Sequence, residues 1–145
     1  MRILRWSLAT MLALWSLYSF LPLAMTAAYK AGRLTDVPPD VQRIVPLMQA
    51  QPVWQLIVWA LSLVLLLVAG WRLFKGRPAL LIYGAAIAIN VAGWFFIQRL
   101  PEYRQAFTPA ELQADYWIIA AEVAVGALIW WLERPRPAPT GAPAV

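Results

Sequence analysis

Four stretches of this sequence carry almost no charge: residues 6–29, 44–71, 78–98 and 116–132, of 24, 28, 21 and 17 residues, the last with a single Glu. A helix needs about 20 apolar residues to cross the hydrocarbon of a bilayer. The rest of the 145 residues falls into pieces of 5, 14, 6, 17 and 13. None reaches the ~40 residues below which a domain seldom stands alone. The chain is 13% charged, about half the share of an ordinary soluble domain. These facts predict an all-α integral membrane protein: a four-transmembrane-helix bundle with no soluble domain. Residues 1–133 form that single membrane domain, and 134–145 form a Pro-rich disordered tail.

The spans are expected at about 6–28, 53–74, 79–97 and 116–132. The first follows Arg2 and Arg5 and so resembles the start of a secretory signal. Its apolar run continues unbroken beyond the 7–15 residues of a signal's core, so it reads as an uncleaved helix. The fourth helix should begin before its span. Thr108 suits the N-cap, Pro109 the first helical position, and Glu111 can close a capping box on Thr108. Within 30–52, Val41, Ile44, Val45 and Met48 lie at helical spacing, but Pro46 in their midst favours an ordinary connection. Residues 98–115 offer no motif.

With four spans, both termini and the turn 72–77 share a side. That side holds seven cations in 24 residues, and the opposite side five in 31. Lys and Arg concentrate on the cytoplasmic side, so both termini are expected there, in a bacterial inner (plasma) membrane. Trp6, Trp71, Trp130 and Trp131 fall at one interface. Trp54, Trp117, Tyr29, Tyr103 and Tyr116 fall at the other, as an aromatic belt requires. Trp15, Trp59 and Trp94 lie deeper.

The sequence contains no Cys and no His. Disulfides, thiol redox chemistry and the usual ligands for zinc, haem and iron–sulfur are thereby excluded. No cofactor or metal is expected. The net charge of +5 resides at span ends, without a basic stripe interleaved with aromatics, so nucleic acid is not a partner. The lipid bilayer is.

Glu122 is the one ionisable side chain inside a span. A charged acid at that depth costs ~3 kcal/mol on insertion scales. It must face the helix interior, stay protonated or find a partner. With span midpoints near 17, 63, 88 and 124, a polar layer draws on every helix: Ser16 and Ser19, Ser62, Asn90 and Glu122. No Lys or Arg shares it. The cheapest arrangement has a protonated Glu122 donating to the Asn90 amide oxygen. At 100° per residue, Glu122 also shares a face with Asp115, Ile118, Gly126, Ile129 and Glu133, a stripe that would serve as a proton or cation path. Gly84, Ala88 and Ala92, and likewise Ala120, Ala124 and Ala127, form small-residue stripes that let helices approach closely.

A four-span chain with one intramembrane Glu is also the pattern of small multidrug exporters. Theirs lies on the first span, and the first span here holds no acid, so no residue carries over. Two functional expectations remain in front. One is an accessory, assembly or packing subunit of a membrane complex, joined to other subunits or to itself through the small-residue stripes. The other is an oligomeric transporter or exporter of a small molecule or ion, proton-coupled through Glu122. A membrane enzyme using Glu111, Asp115 or Tyr116 is the weakest expectation, because no nucleophile–base pair supports it.

Overall fold

The computed structural model describes residues 1–34, 36–39 and 41–134. Among them every regular element is helical: α1 (Arg2–Lys30), a 3-10 turn (Gln42–Ile44), α2 (Val45–Ala50), α3 (Val53–Phe74), α4 (Leu80–Ile97), α5 (Pro101–Ala106) and α6 (Pro109–Glu133). Helices α1, α3, α4 and α6 are each long and apolar enough to cross a membrane. Their bounds follow the expected spans, with α1 and α6 each extending a turn or more further. Apart from Arg134, which caps α6, the tail expected at 134–145 lies outside the described residues.

Helix ends are set by local chemistry. α1 and α3 both stop at a glycine with positive φ: Gly32 at 67° and Gly76 at 70°. In each case the glycine N–H reaches back three residues, to Tyr29 O or Leu73 O. The following N–H reaches back five, to Ala28 O or Arg72 O. This doubly bonded C-terminal turn needs a left-handed residue, which glycine supplies without a Cβ penalty. α6 starts as its sequence promises. Thr108 Oγ1 accepts from Glu111 N at 3.3 Å, and Thr108 N donates to Glu111 Oε2 at 2.8 Å, closing the capping box.

The long helices pack in chain order: α1 on α3, α3 on α4, α4 on α6. Gly70 on α3 makes the first contact close, since a Cβ there would lie 3.2 Å from Ala9 O. At one end, the base, Arg5 Nη1 donates to Gly76 O at 2.8 Å and Arg5 Nη2 to Leu132 O at 3.2 Å. The start of α1, the α3–α4 turn and the end of α6 are thereby tied together. Glu133 caps α4 there, accepting from Ala79 N at 2.5 Å and Leu80 N at 3.4 Å.

The opposite end carries a lid that the sequence did not announce. Pro46 does not interrupt a helix. It occupies the first turn of α2, where its missing N–H breaks no hydrogen bond. Where an ordinary connection was expected, residues 45–50 form a helix that buries Met48 of that helical spacing together with Leu47. α5 likewise opens on a proline, Pro101. Leu47, Tyr103 and Ala106 form a second small core between these two helices, flanked by Ile44, Leu100 and Phe107. Arg43 grips Glu111 with both terminal nitrogens, one at 3.0 Å. Lys30 Nζ donates to Gln49 O at 3.0 Å, and Gln49 Nε2 to Tyr29 Oη at 2.7 Å.

The outward faces are apolar. Leu81 is 89% exposed and Trp117 70%, which in water would be an association hazard and in lipid is the expected finish. The main core is concentrated toward the base, around Leu8, Leu12, Leu66, Leu73, Tyr83, Ile129 and Leu132. Toward the lid the helices part.

Candidate functional site: an acidic chamber beneath the lid

Between the parted helices lies a cavity of about 330 Å³. It is roofed by Leu47, Met48, Tyr103 and Phe107, and walled by Trp15 and Ser19 of α1, Gln55 and Trp59 of α3, Asn90 and Trp94 of α4, and Asp115 and Glu122 of α6. That volume falls in the range of small-molecule sites, which combine mostly apolar walls with a few placed polar groups. Trp15, Trp59 and Trp94, the three tryptophans that fit neither interfacial belt, all line it. Tyr103 leaves the belt too: it is 6% exposed, because α5 folds back over the chamber.

The expected polar layer is assembled only in part. Asn90 and Glu122 do meet across the α4–α6 contact, but the direction is reversed: Asn90 Nδ2 donates to Glu122 Oε1 at 3.1 Å. An amide N–H can donate to a carboxyl oxygen whether the acid is protonated or ionised. Ser16 and Ser62 take no part. Both are fully buried, and their hydroxyls donate to carbonyls of their own helices, Leu12 O and Trp59 O, each at 2.8 Å. A serine hydroxyl reaches a carbonyl three or four residues back more readily than one on a neighbouring helix. Ser19 reaches the chamber wall.

Gln55 is the residue that sequence reasoning missed. It lies at the start of α3, where a glutamine looks like an interfacial residue, yet it is 4% exposed. The lid covers it, and its Nε2 donates to Gly93 O at 3.0 Å. Two oxygens in this chamber have no hydrogen-bond partner among the described residues: Gln55 Oε1 and Glu122 Oε2. Both are acceptors when the acid is ionised.

The stripe of α6 divides into two halves. Above Glu122, Asp115 faces the chamber and accepts from Tyr103 Oη and, at 3.4 Å, from Trp94 Nε1. Burial raises the Tyr103 phenol pKa, and the bond to Asp115 adds to the effect. Below Glu122 the stripe is sealed. Tyr83 Oη donates to Glu122 O at 2.6 Å, and its ring packs where a Cβ on Gly126 would stand, 3.3 Å away. Ile129 is fully buried beneath it. Glu133, expected at the mouth of a path, is instead occupied as the cap of α4. The acids therefore line a chamber reached from the upper half, not a continuous path. Asp115 and Glu122, two turns or about 10 Å apart along the axis, are too far separated to share one ion.

No family model, no curated protein and no solved structure matches this chain. The chemistry of the chamber is the guide to its role.

Proposed function

We propose that this chain is a small polytopic protein of the cell inner membrane, its four spans bundled and both termini cytoplasmic. We further propose that it transports a small molecule or ion through the chamber at Glu122. The observation that carries the reading is Glu122 itself: 8% exposed, facing a cavity, with one oxygen unpartnered. An acid kept inside a membrane marks a pathway or proton site by default. The orientation is supported by the base, where Arg2 lies over Trp6, Lys75 over Trp71 and Arg134 over Trp130, with 4.8, 4.7 and 3.4 Å to the ring centroids. Cations stacked on interfacial tryptophans suit an anionic cytoplasmic leaflet.

The test uses proteoliposomes with a trapped pH indicator and panels of cationic, neutral and anionic solutes. One class should shift lumenal pH with wild-type protein and not with Glu122→Gln. Equal responses from both proteins for every class overturn the reading.

A second reading, as an accessory or self-associating subunit, is favoured by a separate observation. Gly84, Ala88 and Ala92 of α4, and Ala120, Ala124 and Ala127 of α6, are all exposed. Small exposed residues at this spacing admit a close helix from outside. Purification from native membranes followed by mass spectrometry would identify such a partner, and recovery of the chain alone as a monomer would remove this reading.

A further inference from the structure

We propose that the chamber binds an organic ammonium ion with an apolar body, and that this ligand enters sideways from the bilayer between α1 and α6. The inference rests on the reading of Glu122 as a ligand-handling group and names the ligand's chemistry.

The polar atoms select for donors. Gln55 Oε1 and Glu122 Oε2 are unpartnered, on side chains 4% and 8% exposed. One N–H of each neighbouring amide is already used, on Gly93 O and Glu122 Oε1. A buried acceptor left without a partner is costly, and a buried carboxylate without a counter-charge more so. An ammonium group supplies both the N–H donors and the charge. Among the described residues no Lys or Arg lines the chamber, and Asp115 adds a second acid, so an anion is disfavoured. A hard metal ion would want six or more oxygens, which these walls do not provide. Trp15, Trp59 and Trp94 line the chamber, and aromatic walls suit a cation and its apolar body alike.

The route follows from a second cavity. A groove of about 440 Å³ runs between α1 and α6, with Met11, Trp117 and Ala121 along it. All three are exposed. Groove and chamber share Trp15, Leu66, Ile118 and Glu122. The groove is almost wholly apolar until it meets Glu122. A solute dissolved in lipid with its charge at the headgroups can follow such a surface, whereas a hydrated ion cannot.

The experiment measures binding of tritiated 4-phenylbutylamine to the full chain in nanodiscs, with 4-phenylbutanol and 4-phenylbutyrate as competitors. Saturable amine binding is expected, with the alcohol and the acid roughly tenfold or more weaker as competitors. Glu122→Gln and Gln55→Leu should each lower amine affinity roughly fivefold or more. Ala121→Trp, in the groove and outside the chamber, should slow association roughly threefold while leaving affinity nearly unchanged. The amine-to-alcohol ratio is read on wild-type protein, so it does not depend on any variant folding. No saturable binding, an alcohol as potent as the amine, or unaltered affinity in both polar variants overturns the site. Unaltered association in Ala121→Trp overturns the route. Amine binding without any flux overturns transport and leaves the site standing. Flux of a neutral or anionic solute that requires Glu122, without amine binding, does the reverse.

Discussion

Arg5 and Leu132 lie 127 positions apart in sequence, and the Arg5 guanidinium donates to the Leu132 carbonyl at 3.2 Å. A second nitrogen of the same group holds Gly76 O at 2.8 Å. One side chain thus satisfies a carbonyl of the α3–α4 turn and an end carbonyl of α6, which lacks a partner of its own, and places its charge where the helix dipoles favour it.

Arg5→Ala should therefore loosen α6 from the base, lowering unfolding free energy by about 1–2 kcal/mol. Arg5→Lys should recover less than half of that, because an ammonium cannot span both carbonyls as a planar fork does. Thermal unfolding in detergent, followed by near-ultraviolet circular dichroism, measures both. Equal stability of Arg5→Ala and wild type would remove the tie.

The Asn90–Glu122 bond should behave as an ordinary interhelical hydrogen bond in energy. A double-mutant cycle of Asn90→Ala and Glu122→Ala should give a coupling of about 0.6–1.7 kcal/mol. Glu122→Gln alone should fold normally, since its side-chain oxygen can still accept from Asn90. A coupling near zero would mean the two helices do not meet at this level.

Tyr103 gives the lid a pH dependence of known sign. Its folded pKa is raised above the ordinary phenol value of about 10 by burial first and by its bond to Asp115 second. A group whose folded pKa is raised contributes its stability below the unfolded pKa. That contribution is lost as pH climbs past about 10 toward the folded value. The lid should accordingly loosen in strong alkali. Ultraviolet titration of Tyr103→Phe should show one fewer late-ionising phenol, and an unchanged titration would contradict the buried placement.

Two glycines should respond oppositely to a methyl group. At Gly70 a Cβ meets the Ala9 backbone oxygen at 3.2 Å and Leu12 Cβ at 3.5 Å, and backbone cannot step aside. Gly70→Ala should cost about 1–2 kcal/mol by overpacking, despite the ~1 kcal/mol of helix propensity it gains. At Gly84 nothing among the described residues lies within 4 Å of an added Cβ, so Gly84→Ala should hold or raise the melting temperature. Gly84→Ile should break any association through that face, seen as a shift in mass by light scattering.

Because the native sequence has no Cys, single cysteines report orientation cleanly. Arg77→Cys lies in the turn at the base and Arg104→Cys in α5 at the lid, and both positions are exposed. In spheroplasts an impermeant maleimide should label position 104 at once and position 77 only after permeabilisation. The opposite pattern would invert the protein in its membrane.

The long helices were legible because each announces itself over twenty or so residues. Val53–Phe74 matches its expected span at both ends, and the start of α6 was readable from Thr108, Pro109 and Glu111 alone. The Asn90–Glu122 meeting was readable from matched depth. What was not readable is the lid. Six-residue helices such as α2 and α5 carry too little periodicity to register, and Pro46 looks like a breaker until its place in the first turn is known. Gln55 was hidden for the same reason: without the lid, a glutamine at a helix start belongs to the interface. Ser16 and Ser62 looked like members of the polar layer only because depth says nothing about which way a hydroxyl turns.

The seal formed by Tyr83 against Gly126, with Ile129 behind it, has an electrical consequence. Between Glu122 and Glu133, α6 carries no ionisable side chain, and the buried Tyr83 and Ile129 oppose the passage of protons and salts between chamber and base. A bilayer crowded with this protein would keep its voltage.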